Sequence, residues 1–367
     1  MNSIIHYIPD LDPIPLPAPV WLLKFLLLLG FVLHLIPMNI MLGGLILTGI
    51  SYYRKSDFHT GLVRRMSKMI PVVVALTITM GIAPLLFLQV LYGQYFYSSS
   101  IILAFPWLSV IILVMAAYYL VYIHSFRYKK LSHSSKTAIG WTAAILFAIV
   151  GFIYSNEMTL MLTPEKWGAK YFPDPSGLTL NLGEPTLFFR YLHFLVGALA
   201  VAAFFIACVG LSDKREKWFS SKAIKYGAGW FTRFTLVQYL VGILWLIALP
   251  ADKMMLFMGK DIAGTVLLFL GIILSLGAIM MLNKASQSES PKTLVFSSGI
   301  ALLATLIFMA IMRDILRNAY IAPHTAMENI PSFFQASTII PFIVLLLVAL
   351  GIIYWMMRKF LTMKAKT

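Results

Sequence analysis

The chain has 367 residues, of which 60% are hydrophobic and 12% charged, and its formal net charge is +15. A soluble domain normally carries about 25% charged residues, so this composition excludes an ordinary soluble domain. The single cysteine, Cys208, excludes an intrachain disulfide and the paired-cysteine spacings of zinc sites and c-type haem attachment. The basic excess could indicate nucleic acid as a partner. The Lys and Arg residues cluster at predicted helix ends, however, which favours membrane topology instead.

The apolar residues occur in long blocks that match the roughly 30 Å hydrocarbon core of a bilayer when helical. Lipid offers no partners for backbone polar groups, so such blocks must be helices. We therefore predict an all-α polytopic membrane protein with a single membrane domain over 1–367. Its nine predicted helices span about 20–50, 66–95, 100–126, 137–161, 187–211, 224–249, 262–283, 293–316 and 337–359. The longest predicted connection, 162–186, is long enough to form a folded cap.

The charges of the connections alternate along the chain. Segments 51–68, 127–136, 212–225, 284–292 and 358–367 hold 5, 4, 5, 2 and 4 Lys or Arg residues, and the connections between them hold fewer. Basic connections stay in the cytoplasm, so the pattern predicts an outside N-terminus and a cytoplasmic C-terminus. The expected location is the cytoplasmic membrane of a bacterium.

Two histidines lie within predicted helices and away from their cytoplasmic ends, where ionisable groups are costly and therefore candidates for function; a third, His124, lies at the cytoplasmic end of the third predicted helix and is interpreted as reaching the interface. His34 lies in the middle of the first helix and is followed by Pro37. His193 lies in the fifth, one turn after Arg190 and just before several small residues. Each histidine is either a hydrogen-bonded packing residue or a metal ligand. The small residues provide either close helix packing or room for a flat cofactor.

Further polar residues accompany the histidines. Gln89 lies near the end of the second helix, and Arg313, Asp314 and Arg317 close the eighth. Asp314 and Arg317 share a helix face because they are three residues apart, so an interfacial ion pair is the alternative to a functional role. With the predicted orientation, these groups and His193 gather in the outer half of the membrane, and His34 lies near mid-depth.

These residues resemble subunit I of the cytochrome bd quinol oxidases over nearly the whole chain. The likeness lies in His34 with Pro37 and Gly43, in the helix-2 residues Met80, Gly81, Ala83, Tyr92 and Gly93, in FRYLHFLVGALAVAAFF around His193, and in DILRNAY at the end of helix 8. The resemblance implies a nine-helix haem protein. It implies that His34, His193 and Asp314 ligate haem iron and that Arg317, with Arg313, lies near haem propionates. Asn156 and Lys260 occupy positions of a family asparagine and a family arginine.

The sequence also departs from the family. Gln89 replaces a glutamate beside the oxygen-reactive haem, and the third helix lacks the family's proton-path carboxylates. Ile262 replaces the methionine that completes the low-spin haem. Met254, Met255 and Met258 lie nearby as alternative ligands for a haem on His193; that haem could also be five-coordinate or absent.

Three functions remain open on these grounds. The first is a haem-binding membrane subunit of a respiratory oxidoreductase complex, with one to three b-type haems, that passes electrons between the quinone pool and an outer-face partner. That partner would be a c-type cytochrome, another redox subunit or a second membrane subunit. The second is a bd-type quinol oxidase, with haem d among its cofactors, that reduces oxygen. The third is a haem-free structural subunit or a transporter. No catalytic residue is assigned, and no nucleic-acid partner is expected.

Overall fold

A computed structural model describes residues 7–11, 14–54, 56–213, 216–327 and 330–363. Five basic residues counted above lie outside the described residues: Lys55, Lys214, Arg215, Lys364 and Lys366. The described chain contains nine helices that are long and apolar enough to cross a membrane. They are α1 (Val20–Tyr52), α2 (Asp57–Ile102), α3 (Ala104–Phe126), α4 (His133–Met161), α5 (Pro185–Ser212), α6 (Lys217–Ala248), α7 (Ile262–Ala285), α8 (Lys292–Ile321) and α9 (Ala336–Met363).

The nine predicted helices correspond one to one with α1–α9, and the prediction of an all-α polytopic bundle is confirmed. The largest difference in bounds is in α2, which begins at Asp57 rather than near residue 66. The Ser56 side chain caps its first turn by accepting a hydrogen bond from the His59 amide, and Asp57 complements the helix dipole there. Near the other end, Tyr92 leaves the helical conformation (φ −131°, ψ 31°), so α2 is kinked.

Small residues bring α1 and α5 into direct contact. A Cβ atom on Gly43 would lie 2.1 Å from the Ala198 carbonyl oxygen and 2.7 Å from the Ala202 Cβ, so only glycine fits there. The most extensive contacts in the bundle join α5 with α6, α1 with α2, and α7 with α8. Of the two interpretations of the small residues after His193, close helix packing and room for a flat cofactor, the contacts at Ala198 and Ala202 support close helix packing.

The predicted cap between α4 and α5 is folded. It contains a 3₁₀ turn at Pro164–Lys166 and a short helix at Trp167–Tyr171. The Trp167 Nε1–H donates to the Leu160 carbonyl (2.8 Å), and Lys166 Nζ forms an ion pair with Glu184 (2.5 Å). These contacts hold the cap on the end of the bundle where α4 ends and α5 begins.

Candidate functional site at the arginine cavity

A cavity of about 60 Å³ lies at the end of the bundle that carries the cap. Residues of α4, α5, α6 and α8, or next to their ends, form its wall. They are Met158, Met161, Leu162, Arg190, Trp245, Arg313, Leu316 and Arg317. Because a water molecule takes about 30 Å³ in the liquid, the cavity accommodates waters or the carboxylate ends of a larger ligand. We refer to it as the arginine cavity.

Three guanidinium groups reach the arginine cavity, and each stacks on an aromatic ring. Arg313 lies 4.4 Å from the centre of a Phe ring on α1, Arg317 lies 4.6 Å from that of Tyr92, and Arg190 lies 5.6 Å from that of Trp245. The Nε atoms of Arg190 and Arg317 are buried without a hydrogen-bond partner. Among the described residues, Asp314 is the one carboxylate that forms an ion pair with any of the three. The lining thus holds more positive than negative charge, and it favours an anionic ligand.

Asp314 is held by two neighbours on its own helix. One carboxylate oxygen accepts a hydrogen bond from Arg317, and the other accepts one from Asn318 Nδ2 (2.9 Å). The Asn318 side-chain oxygen in turn accepts from the Tyr92 hydroxyl at 3.0 Å, so the network reaches the kink of α2. Both oxygens of Asp314 are engaged by protein groups in this arrangement. Iron ligation by Asp314, which the family resemblance implies, would require one of these bonds to be exchanged.

His34 has the geometry expected of a histidine ligand. Its Nδ1–H donates to the Thr77 carbonyl oxygen at 2.9 Å, and its ring lies against Gly81 of α2. A metal-bound histidine usually donates its second ring nitrogen to a carbonyl or carboxylate in this way, which fixes the ring and the tautomer. The hydrogen bond leaves Nε2 as the nitrogen available to a ligand.

His193 lies between α5 and α6 with one ring nitrogen unused. Its ring centre is 5.4 Å from that of Trp245, and the Gly242 Cα faces it without a side chain. Nδ1 is buried and has no hydrogen-bond partner. Leaving a buried polar atom unsatisfied costs about 1–3 kcal/mol, so a ligand at this nitrogen would be stabilising.

The remaining predicted site residues lie elsewhere. Gln89 is half-buried on α2, three residues before Tyr92. Asn156 is fully buried, but it binds the cap: its Oδ1 accepts from the Asn181 amide at 2.9 Å. Lys260 is exposed, and the structure does not bring it to the cavity. Lys253 of the same connection reaches α8 instead, donating to the Ala319 carbonyl at 2.8 Å.

The methionines near this end of the bundle differ in their exposure. Met255 and Met258 are 43% and 42% exposed, and Met254 packs in the apolar cluster that also contains Trp245. Met158 and Met161, from the end of α4, line the cavity instead. Neither these two residues nor Arg190 were among the predicted site residues. The signal for Arg190 was its position one turn before His193, which places both on one face of α5.

The histidines and arginines of this set provide the donor atoms that a haem needs for its iron and its propionates. Its macrocycle supplies most iron ligands, so one or two histidines from the protein suffice. Among the described residues, no three His, Cys, Asp or Glu side chains converge as a self-contained metal site. Trp245 connects the two features, because it lines the arginine cavity and its ring also lies 5.4 Å from that of His193. The cavity volume means that a whole macrocycle would enter only if side chains such as Trp245 moved aside.

Comparison with known proteins supports the fold. No protein-family model and no curated protein matches this sequence. Among solved structures, the chain is similar to that of bd oxidase from Geobacillus thermodenitrificans, with a TM-score of 0.74 and 14% sequence identity. The similarity covers 96% of this chain and 99% of that one. The chain is therefore a polytopic helical membrane protein with the bd oxidase fold, as the sequence predicted.

Proposed function

We propose that this protein is a haem-binding integral membrane subunit of a respiratory electron-transfer complex, exchanging electrons with the quinone pool. The observation that carries this proposal is the arginine cavity, which three guanidinium groups and one paired carboxylate surround and whose lining residue Trp245 also contacts the ring of His193. The bd oxidase fold supports it, because that fold belongs to a redox protein by the name of the matching structure.

In the proposed holoprotein, His193 would ligate the haem iron, and Arg190, Arg313 and Arg317 would hold the propionates through charge-assisted hydrogen bonds. The bound haem supplies one-electron redox chemistry. His34, oriented by the Thr77 carbonyl, is the proposed ligand of a second haem. Asp314 orients Arg317 in the described arrangement, and its role as an iron ligand stays a prediction.

The wider assignment follows from the proposed site and the charges of the connections. We expect the bacterial cytoplasmic membrane, an outside N-terminus and a cytoplasmic C-terminus. The cavity end of the bundle then faces outward. A second membrane subunit, or a redox partner such as a c-type cytochrome, would accept or supply electrons there. Affinity purification from detergent-solubilised membranes with haem staining of the partners tests this assembly.

The first experiment is an absorption spectrum and a pyridine haemochrome assay of the purified protein. We expect b-type haem, and a colourless protein would overturn the proposal. Arg190→Gln tests the cavity, and its matched control is Arg233→Gln, because Arg233 is an exposed arginine that also stacks on a tryptophan, 5.0 Å from the Trp230 ring. We expect Arg190→Gln to weaken haem retention and the control to leave it unchanged. Equal retention in both variants would remove the cavity from the haem site.

The second candidate function is oxygen reduction by a bd-type quinol oxidase. The fold similarity over 96% of the chain favours it, since the matching structure is an oxidase. Oxygen uptake by the purified complex with a quinol donor distinguishes the two functions. Uptake together with a haem d absorption band would establish the oxidase, whereas haem reduction by quinol without oxygen uptake would establish the electron-transfer subunit.

A further inference from the structure

Glu157 is a fully buried carboxyl group next to the arginine cavity. It has 0% exposure and lies on α4 immediately before Met158 and one turn before Met161, which both line the cavity. No described cation forms an ion pair with it. A buried carboxylate without a cation carries a large desolvation penalty, so the group is expected to hold a proton.

The two oxygens of Glu157 have different surroundings. Oε1 accepts hydrogen bonds from the hydroxyls of Ser99 (2.6 Å) and Ser100 (3.0 Å) on α2. Oε2 is buried with no hydrogen-bond partner. Because Oε1 already accepts two bonds, the proton rests on Oε2 in this arrangement, and rotation of the carboxyl group about its Cγ–Cδ bond brings the proton to the serine hydroxyls. Among the described residues, Tyr154, one turn earlier on α4, is a titratable group that interacts with it, and the groups of α2 that bond to it are the two serines.

Ser100 connects this carboxyl group with the surface. Ser99 is fully buried, whereas Ser100 is half-buried and lies two residues before the end of α2. The Ser100 hydroxyl is also 2.8 Å from the Phe96 carbonyl oxygen, so its single hydrogen is shared between two acceptors. A hydroxyl that can turn between an acid and another acceptor is suited to passing a proton on.

We propose that Glu157 is a proton-exchanging group of the site, connected through Ser100 to the surface at the cavity end of the bundle. Glu157 holds its proton while the site carries an electron, releases the proton to that surface when the electron leaves, and binds another proton from that surface with the next electron. The only bond made or broken is an O–H bond, and charge is balanced at each step. Quinol oxidation supplies both the electrons and the protons. This redox coupling rests on the proposed function; the protonation and exchange of Glu157 do not.

The first arm of the test needs no haem. Infrared spectra of the full-length protein at neutral pH, either without haem or with its haem reduced, should contain the C=O band of a protonated carboxylic acid, which shifts in D₂O. Glu157→Gln should lose this band, while Glu165→Gln, at an exposed position in the cap, should keep it. Ser100→Ala should slow exchange of the band in D₂O more than Ser99→Ala does. A band that persists in Glu157→Gln, or equal exchange rates in the two serine variants, would overturn the proposal.

The second arm tests redox coupling. Redox titrations across pH should show a potential that falls with rising pH in the wild-type protein and a flatter dependence in Glu157→Gln. An unchanged slope would refute the coupling. If Glu157→Gln does not fold, Glu157→Asp keeps the acid, and a shifted C=O band in that variant would identify the group. Absence of haem would refute the proposed function alone, because the infrared arm would still decide whether Glu157 holds and exchanges a proton.

Discussion

The His34 ring lies directly against Gly81, so that a Cβ atom at position 81 would come within 2.8 Å of the His34 Nδ1 atom. The same nitrogen donates to the Thr77 carbonyl, one turn earlier on α2. The absent side chain of Gly81 and the carbonyl of Thr77 therefore determine together where the imidazole lies. This is a packing relationship between α1 and α2, and it makes the orientation of His34 sensitive to a single methyl group.

Gly81→Ala should displace the His34 ring and break its hydrogen bond to Thr77. We expect a stability loss of about 1–3 kcal/mol from overpacking, together with loss of the haem that His34 is proposed to bind. Haem content per protein and thermal melting in detergent measure the two effects. Gly229→Ala is the control, because nothing lies within 4 Å of a Cβ there and alanine is the better helix former. Full haem content in Gly81→Ala would argue against His34 as a ligand.

His193→Ala should lose one haem, because its ring nitrogen is the proposed iron ligand. His124→Ala is a matched control, since His124 is also a buried histidine but its Nε2 is already hydrogen-bonded to the Tyr52 hydroxyl at 2.6 Å. The measurement is the haem-to-protein ratio with the reduced-minus-oxidised spectrum. An unchanged spectrum in His193→Ala would refute the ligand assignment.

Asp314→Asn separates two roles of this carboxylate. If Asp314 only holds Arg317, the variant should retain its haems but lose stability, because removing one partner of a buried ion pair costs about 3–5 kcal/mol. Asn318→Leu should then act in the same direction, since Asn318 donates to the same carboxylate. If Asp314 ligates iron, Asp314→Asn should lose a haem and Asn318→Leu should not. Haem content and melting temperature of both variants make the distinction.

The ion pair between Lys166 and Glu184 should make the cap sensitive to acid. Burial raises the pKa of Glu184, but hydrogen bonds from Lys166 and Thr186 outweigh it, and the resulting pKa lies below its ordinary value of 4.5. A depressed pKa stabilises the folded state above 4.5, and this contribution is lost as pH falls through the lower folded-state pKa.

The corresponding measurement is a series of melting temperatures from neutral pH downward. The wild-type protein should lose stability below about pH 4.5, and Glu184→Gln should show a weaker dependence in that window. Glu165→Gln is the control, because Glu165 is an exposed carboxylate of the same cap and lies next to Lys166 in sequence. Parallel curves for the wild-type protein and Glu184→Gln would exclude the ion pair as the acid-sensitive contact.

The amino-acid sequence determined the number, position and approximate length of the membrane helices. Long apolar blocks have one structural solution in lipid, since their backbone hydrogen bonds must close within the segment. His34 and His193 could be singled out for a related reason, because ionisable groups are rare in such segments. The pair Asp314 and Arg317 could also be predicted, since a spacing of three places both on one helix face.

The tertiary structure alone decided which side chains meet. Arg190 and Arg313 are far apart in sequence, and their convergence on one cavity depends on how α5 and α8 are rotated and which helices lie between them. Lys253 rather than Lys260 contacts α8. Glu157 of α4 accepts hydrogen bonds from Ser99 and Ser100 of α2. A helix that is apolar on all sides gives little indication of how it is rotated about its axis or which helices pack against it. The helices were therefore predictable one by one, whereas the site that they form together was not.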